Sequence, residues 1–112
     1  MATDRRASWL KGVLDLLVLS CLTDGESYGY EIAKALASAG VGEIKGGTLY
    51  PVLNRLEEAG SVVGEFRAAE RGPGRRYYRL TDGGRKRLGE ESGAWLEFHT
   101  TVKSMLHQGG AS

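Results

Sequence analysis

Residues 46–80 read GGTLYPVLNRLEEAGSVVGEFRAAERGPGRRYYRL, and the hydrophobic period changes once within them. Leu49, Val52, Leu53, Leu56 and Ala59 recur at three- and four-residue spacing, the signature of an amphipathic helix, and Gly60 supplies its stop. Pro51 fits this helix if Thr48 is its cap, because a proline in the first turn gives up an N–H that has no intrahelical acceptor. From Ser61 to Glu70, and again from Arg75 to Leu80, β-branched and aromatic residues take over. Arg71-Gly72-Pro73-Gly74 between them has turn composition. The stretch is therefore a helix that runs into a two-stranded hairpin. Alternation in the second strand puts Tyr78 and Leu80 on one face and Tyr77 and Arg79 on the other.

Working outward from this unit, the same period marks two helices upstream. Ser27 can cap one in which Tyr28, Ile32, Leu36 and Ala39 form a stripe ended by Gly40. Gly29 in its first turn costs about 1 kcal/mol of helix propensity relative to alanine, which implies that another backbone approaches closely there. From Leu10, apolar residues at 10, 13, 14, 17, 18 and 21 make a first helix that closes at Thr23-Asp24-Gly25. Downstream, Thr81-Asp82 offers a cap for one long helix reaching about Gln108. Leu88, Trp95 and Val102 are seven apart, as are Phe98 and Met105, so this helix carries a short heptad seam that Glu91 interrupts. Gly83, Gly84, Gly89 and Gly93 argue against its being straight throughout. Residues 1–7 and 109–112 are expected to fray.

Composition bounds the rest. A chain of 112 residues that is 41% apolar and 26% charged is about one ordinary globular domain, which excludes disorder, collagen and a two-domain enzyme. The apolar run Val13 to Leu22 is broken by Asp15 and Ser20 and is too short to cross a bilayer, for which roughly 20 residues are needed. Met1 to Arg6 resembles the basic start of a signal peptide, yet no small-residue cleavage site follows, so a cytoplasmic protein is expected. Cys21 is the sole cysteine and reads as a packing residue in a reducing compartment. His99 and His107 have no cysteine nearby, and no metal or other cofactor is expected. Gly46-Gly47-Thr48 lacks the spacing of a nucleotide loop, and no Ser/His/Asp or Cys/His set falls on converging elements, so catalysis is not expected.

The net charge of +1 conceals an asymmetry. Arg67, Arg71, Arg75, Arg76, Arg79, Arg85, Lys86 and Arg87 stand against Glu70 and Asp82, a local +6 on a remainder of −5. Focused basic charge of this kind suits a polyanion. Three helices followed by a basic hairpin is the order of a winged helix-turn-helix, here with a long C-terminal dimerisation helix: mainly α, with a small β-hairpin. Residues 1–80 would bind DNA and residues 81–112 would pair the chain with a second copy, all in one compact unit. In this arrangement the third helix enters the major groove and the hairpin touches the adjacent backbone or minor groove. Thr48, Tyr50, Asn54 and Arg55 lie on that helix's outer face, where asparagine can read adenine and arginine guanine. Gly46, Gly47 and Thr48 present backbone N–H groups to a phosphate, and Lys45 reinforces them.

Three motifs carry a resemblance to a known family. Gly47 to Gly60 (GTLYPVLNRLEEAG) resembles the recognition-helix signature of PadR-type transcriptional regulators. Tyr28-Gly29-Tyr30-Glu31-Ile32 and Gly74-Arg75-Arg76-Tyr77-Tyr78-Arg79-Leu80-Thr81 support it, in the family's order over residues 10–90. The length is similar to that of the compact subfamily with a single C-terminal helix. The resemblance implies a homodimeric, mostly repressing DNA-binding protein whose C-terminal helix packs on its partner's N-terminal helix. Ser61 departs from the pattern, standing where a larger apolar residue is usual.

Several residues carry two readings. Tyr28 counts both as core and as a group within reach of the duplex. Tyr50 is either a DNA contact or a packing residue at the helix start. Arg75 and Arg76 meet phosphate or minor groove, or else form a solvated hairpin tip. Leu88, Trp95, Phe98, Val102 and Met105 form the dimer seam, since on an isolated domain Trp95, Phe98 and Val102 would leave an exposed apolar stripe. From the resemblance alone, Trp9, Trp95 and Phe98 could instead hold a flat aromatic effector near the dimer axis. The competing class is a winged-helix module for protein or RNA contact, which would have no preferred duplex.

Overall fold

The computed structural model describes residues 5–111. Helices α1 (Arg5–Leu10) and α2 (Leu14–Ser20) lead into a short strand β1 (Ser27–Tyr28) and then α3 (Gly29–Ser38) and α4 (Gly46–Glu58). Strands β2 (Val62–Arg67) and β3 (Arg75–Leu80) follow, and α5 (Asp82–Ala111) closes the chain. This is the mainly helical winged-helix architecture with a long terminal helix that the sequence predicts.

One core holds these elements. Leu14, Val18, Leu19 and Leu22 meet Ile32 and Leu36 of α3, Leu49, Val52, Leu53 and Leu56 of α4, and Val62, Tyr78 and Leu80 of the sheet. Each fully buried aliphatic side chain contributes about 1.5–3 kcal/mol. Helices α3 and α4 stop by the same device, a glycine in the left-handed region after an alanine. Gly40 has φ 99° and Gly60 φ 77°, and the next N–H reaches back five residues to close the helix, Val41 to the Leu36 carbonyl at 3.0 Å and Ser61 to the Leu56 carbonyl at 2.9 Å.

Four local expectations are corrected. The first helix is two helices, because Lys11-Gly12-Val13 turns between them and glycine is a poor helix former. Ser27 does not cap α3 but pairs with Tyr78 in β1, making a three-stranded antiparallel sheet in the order β1-β3-β2 where a two-stranded hairpin was expected. A strand of two residues is too short for alternation to reveal. Helix α4 starts at Gly46 with Lys45 as N-cap, not at Thr48, so Pro51 lies in the second turn and leaves the Gly47 carbonyl without its usual donor. Arg5 to Ala7 and the residues from 109 to 111 are helical; residues 1–4 and 112, also expected to fray, lie outside the described residues.

Helix α5 begins as predicted, at Thr81. Its hydroxyl accepts the Gly84 N–H at 2.9 Å and donates to the Gly60 carbonyl at 2.6 Å. A Cβ on Gly84 would collide with the Ser61 carbonyl, so the helix backbone rests directly on the start of β2. Ser61 is buried there, and Arg87 donates to its hydroxyl at 3.2 Å, a contact that a larger apolar residue could not make. Leu88 packs against the chain's own core, but every residue from Gly93 to His107 is exposed. No helix among the described residues is long and apolar enough to cross a membrane.

Gly84→Ala is expected to lower stability by about 1–3 kcal/mol, because backbone and not a flexible side chain must move. Gly89→Ala, which meets open space, should be neutral or stabilising by up to about 1 kcal/mol. Thermal unfolding followed by circular dichroism separates the two.

Candidate nucleic-acid interface

Helix α4 buries Leu49, Val52, Leu53 and Leu56, and helical geometry then puts Gly47, Pro51, Asn54 and Glu58 on the opposite side, all exposed. No side chain caps its N-terminus and no acidic residue occupies its first turn, so the positive end of the helix dipole is uncompensated. Lys45 stands beside it, exposed. Tyr50 does not point straight outward. It lies over Gly29, where a Cβ would sit 2.7 Å from Tyr50 Cζ. The close approach expected at Gly29 is therefore real, but a tyrosine ring and not a backbone makes it. The ring is still 47% exposed.

The wing presents two different faces. Arg75, Tyr77 and Arg79 face outward, with the Arg75 guanidinium 4.5 Å from the Tyr28 ring centre and that of Arg67 4.5 Å from Tyr77. Tyr28 and Tyr77 meet edge to face at 5.2 Å. Arg67 also forks onto Glu26, at 2.8 Å for one of its two bonds, which holds the Glu26 carboxyl below its ordinary pKa. Arg76 is on the inner face, with its Nη2 2.7 Å from Glu57 Oε2 of α4. The same carboxylate oxygen accepts the Gly64 N–H at 3.2 Å, satisfying a donor on the sheet's edge strand. Burial raises the Tyr78 phenol, behind that pair. One groove joins wing and helices: Tyr28, Gly29, Tyr30, Tyr50, Gly74, Arg75 and Arg76 line it.

Comparison with known proteins decides what this arrangement is. The family model for the transcriptional regulator PadR-like family matches residues 18–90. The chain belongs to the PadR-like family. It is 37% identical over 92 residues to the transcriptional regulator Rv3488 of Mycobacterium tuberculosis, covering 82% of this chain and 84% of that one. Among solved structures, a PadR family transcriptional regulator from Eggerthella lenta superposes with TM-score 0.80 at 36% identity, covering 89% of this chain and 87% of that one. A PadR-like transcriptional regulator from Bacillus cereus gives TM-score 0.77 at 35% identity, with 88% and 96% covered. The protein is thus a PadR-like transcriptional regulator, a class that acts by binding DNA and not as an enzyme.

Within this PadR-like frame the predicted residues fall into separate groups. Lys45, Gly47, Thr48, Tyr50 and Asn54 share the exposed part of α4 and its entry, with Tyr28 and Arg75 beside them across the groove. Arg55 is elsewhere: its Nη2 is 2.7 Å from Asp15 Oδ1 of α2, on the flank away from the wing. Arg76 is engaged by Glu57, whose hydrogen bond raises the guanidinium pKa. Trp95 borders a second groove with Leu16 and Ala94, whereas Trp9 and Phe98 are not part of that lining. Tyr30 and Lys34 are the residues missed from the sequence. Both are exposed on α3 and face the α3–α4 groove with Lys45 and Tyr50. The signal was present in Tyr28-Gly29-Tyr30, where only one tyrosine continues the buried stripe.

Gly29→Ala tests the Tyr50 contact. The ring can swing into solvent, so the melting temperature should change little, while affinity for a selected duplex, read by fluorescence anisotropy, should fall severalfold. An unchanged affinity would separate the Tyr50 position from binding.

Proposed function

We propose that this PadR-like regulator is a homodimeric repressor that acts in the cytoplasm on a nearly palindromic operator with half-sites about one helical turn apart. The observation that carries the reading is an exposed apolar stripe on α5, Trp95, Phe98, Val102 and Met105, on the same chain as an uncovered α4 face and a basic wing. Phe98 is 62% exposed, and no residue of α1 is buried, with Trp9 69% exposed. An uncovered apolar stripe on α5 and an exposed tryptophan on α1 in one small domain favour association with a second copy. Residues 81–112 then serve as the pairing helix and residues 1–80 as the DNA-binding part. Leu88 contributes to the chain's own core, so the seam proper starts at Trp95.

Asn54 supplies base reading and Thr48 a shorter contact at the helix start, while Lys45, the Gly47 N–H and Arg75 take phosphate. Arg76 and Arg55 hold α4 in place from its two sides. Trp95, stacked on His99 with ring centres 5.8 Å apart and planes 12° apart, leaves an aromatic surface beside a groove. Release of DNA by a flat aromatic effector at Trp95, with Trp9 and Phe98 contributed across the dimer, is the regulatory part of the proposal. It requires that the effector prefer one dimer state. A changed Trp95 fluorescence across a panel of planar compounds supports it, and no response in the dimer removes it.

Selection of duplexes from a random pool at about physiological salt tests the central reading. Enrichment of a two-fold site supports it; no enrichment by a purified dimer favours a protein- or RNA-contact module. On the selected site, Arg75→Ala should weaken all duplexes and reduce the slope of log affinity against log salt by about one per protomer. Asn54→Ala should relax sequence preference at one position per half-site, by about 1–3 kcal/mol. Phe98→Glu should yield a monomer by sedimentation.

A further inference from the structure

Asp15 stands where three helices meet. Its Oδ1 accepts Arg55 Nη2 of α4 at 2.7 Å, and its Oδ2 faces Arg87 Nη2 of α5 at 3.9 Å. Arg87 in turn binds Glu91 one turn along α5 at 3.0 Å and the Ser61 hydroxyl at the start of the wing at 3.2 Å. The Asp15 and Arg87 side chains are only 30% and 29% exposed. Helix α2 packs against both α4 and α5 and is the body between them. A single carboxylate on α2 thus faces one cation from the DNA-reading helix and one from the long terminal helix.

We infer that Asp15 is a positioning residue that sets the angle between α4 and α5, and thereby the half-site spacing that the regulator accepts. The inference rests on the homodimer reading above. Apolar burial holds these helices together but is non-directional, so it tolerates a small rotation of one helix on another. A charge-assisted hydrogen bond does not, because it weakens steeply with distance and angle. The terminal helix amplifies any such rotation. Over about 20 residues, or about 30 Å, a tilt of about 10° moves the far end by about 5 Å, more than one base-pair step of about 3.4 Å. Removing the charge at Asp15 also leaves two guanidinium groups facing one another without the anion between them.

The test uses the full-length protein and a panel of duplexes with identical half-sites whose spacing is changed by one or two base pairs in either direction. Asp15→Asn, nearly isosteric, is expected to reduce preference for the best spacing over its neighbours by about fivefold, the size that one partly exposed ion pair supports. Sequence preference within each half-site and the salt slope should stay as in the unaltered protein, a pattern that general destabilisation would not give. Arg55→Met attacks the same contact from α4 and carries the test if Asp15→Asn fails to fold. The double variant should lose no more than either single one. An unaltered spacing profile in Asp15→Asn, or an equal loss at every spacing with a lower melting temperature, overturns the proposal. A wild-type protein that is monomeric or indifferent to spacing overturns the homodimer reading and this inference with it.

Discussion

The candidate nucleic-acid interface depends on one helix, α4, being buried on one side only. Leu49, Val52, Leu53 and Leu56 lock α4 into the core, and each is worth about 1.5–3 kcal/mol, while the ion pairs that flank it are worth about 0–1 kcal/mol apiece in partly exposed positions. The apolar stripe therefore decides that the helix is held. The ion pairs decide how it is turned. Arg55 bonds to α2 on one flank and Glu57 to the wing on the other, so α4 is constrained about its own axis from both sides. The face left over, with Asn54 and the uncapped N-terminus, is aimed outward by default.

The same pairs change what the basic segment can do. By counting, residues 67–87 carry a local charge of +6, but much of it is engaged within the chain. Arg67 is matched by Glu26 and Glu65, Arg76 by Glu57, and Arg87 by Asp15 and Glu91. Among the described residues, Arg71, Arg75 and Arg79 of the wing pair with no carboxylate, and these set the field that a phosphate backbone would meet. Arg75 is further ordered by its stacking on Tyr28, which lowers the entropy lost when it takes a ligand. A wing whose inner Arg76 binds α4 and whose Arg71, Arg75 and Arg79 stay available has a defined angle of approach, which a uniformly solvated basic loop would lack.

The sequence made the strongly periodic elements legible: α4, the hairpin and the exposed stripe of α5 follow from repeats long enough to show a period, and the Thr81 cap from local chemistry. The failures are short or tertiary. Strand β1 has two residues, and no alternation can be seen in two. The break between α1 and α2 preserves the apolar spacing on both sides, so the pattern reads as one helix although Gly12 interrupts it. Arg55 and Asn54 are neighbours on an exposed arc of α4, and only the position of Asp15, forty residues earlier, shows that Arg55 is drawn across to α2. Tyr30 escaped because its neighbour Tyr28 explained the motif as packing. Direction on an exposed helical arc is a property of partners distant in sequence, which periodicity does not encode.

The glycines of α5 connect folding to association. Gly84 is required by contact with Ser61, but Gly89 and Gly93 meet nothing within their own chain and each costs the helix about 1 kcal/mol. Beyond them a protruding helix of about 15 residues is marginal in water on propensity alone. In the proposed reading its order comes from burial of the Trp95, Phe98, Val102 and Met105 stripe against another surface. In the homodimer reading that surface is a second copy, so the outer half of α5 becomes ordered as the dimer forms. The two copies would then acquire a fixed separation of their α4 helices in the same step that gives them two DNA-reading heads. Occupancy of a palindromic site would consequently rise more steeply with protein concentration than simple binding allows, because folding of α5, pairing and operator recognition draw on the same apolar contact.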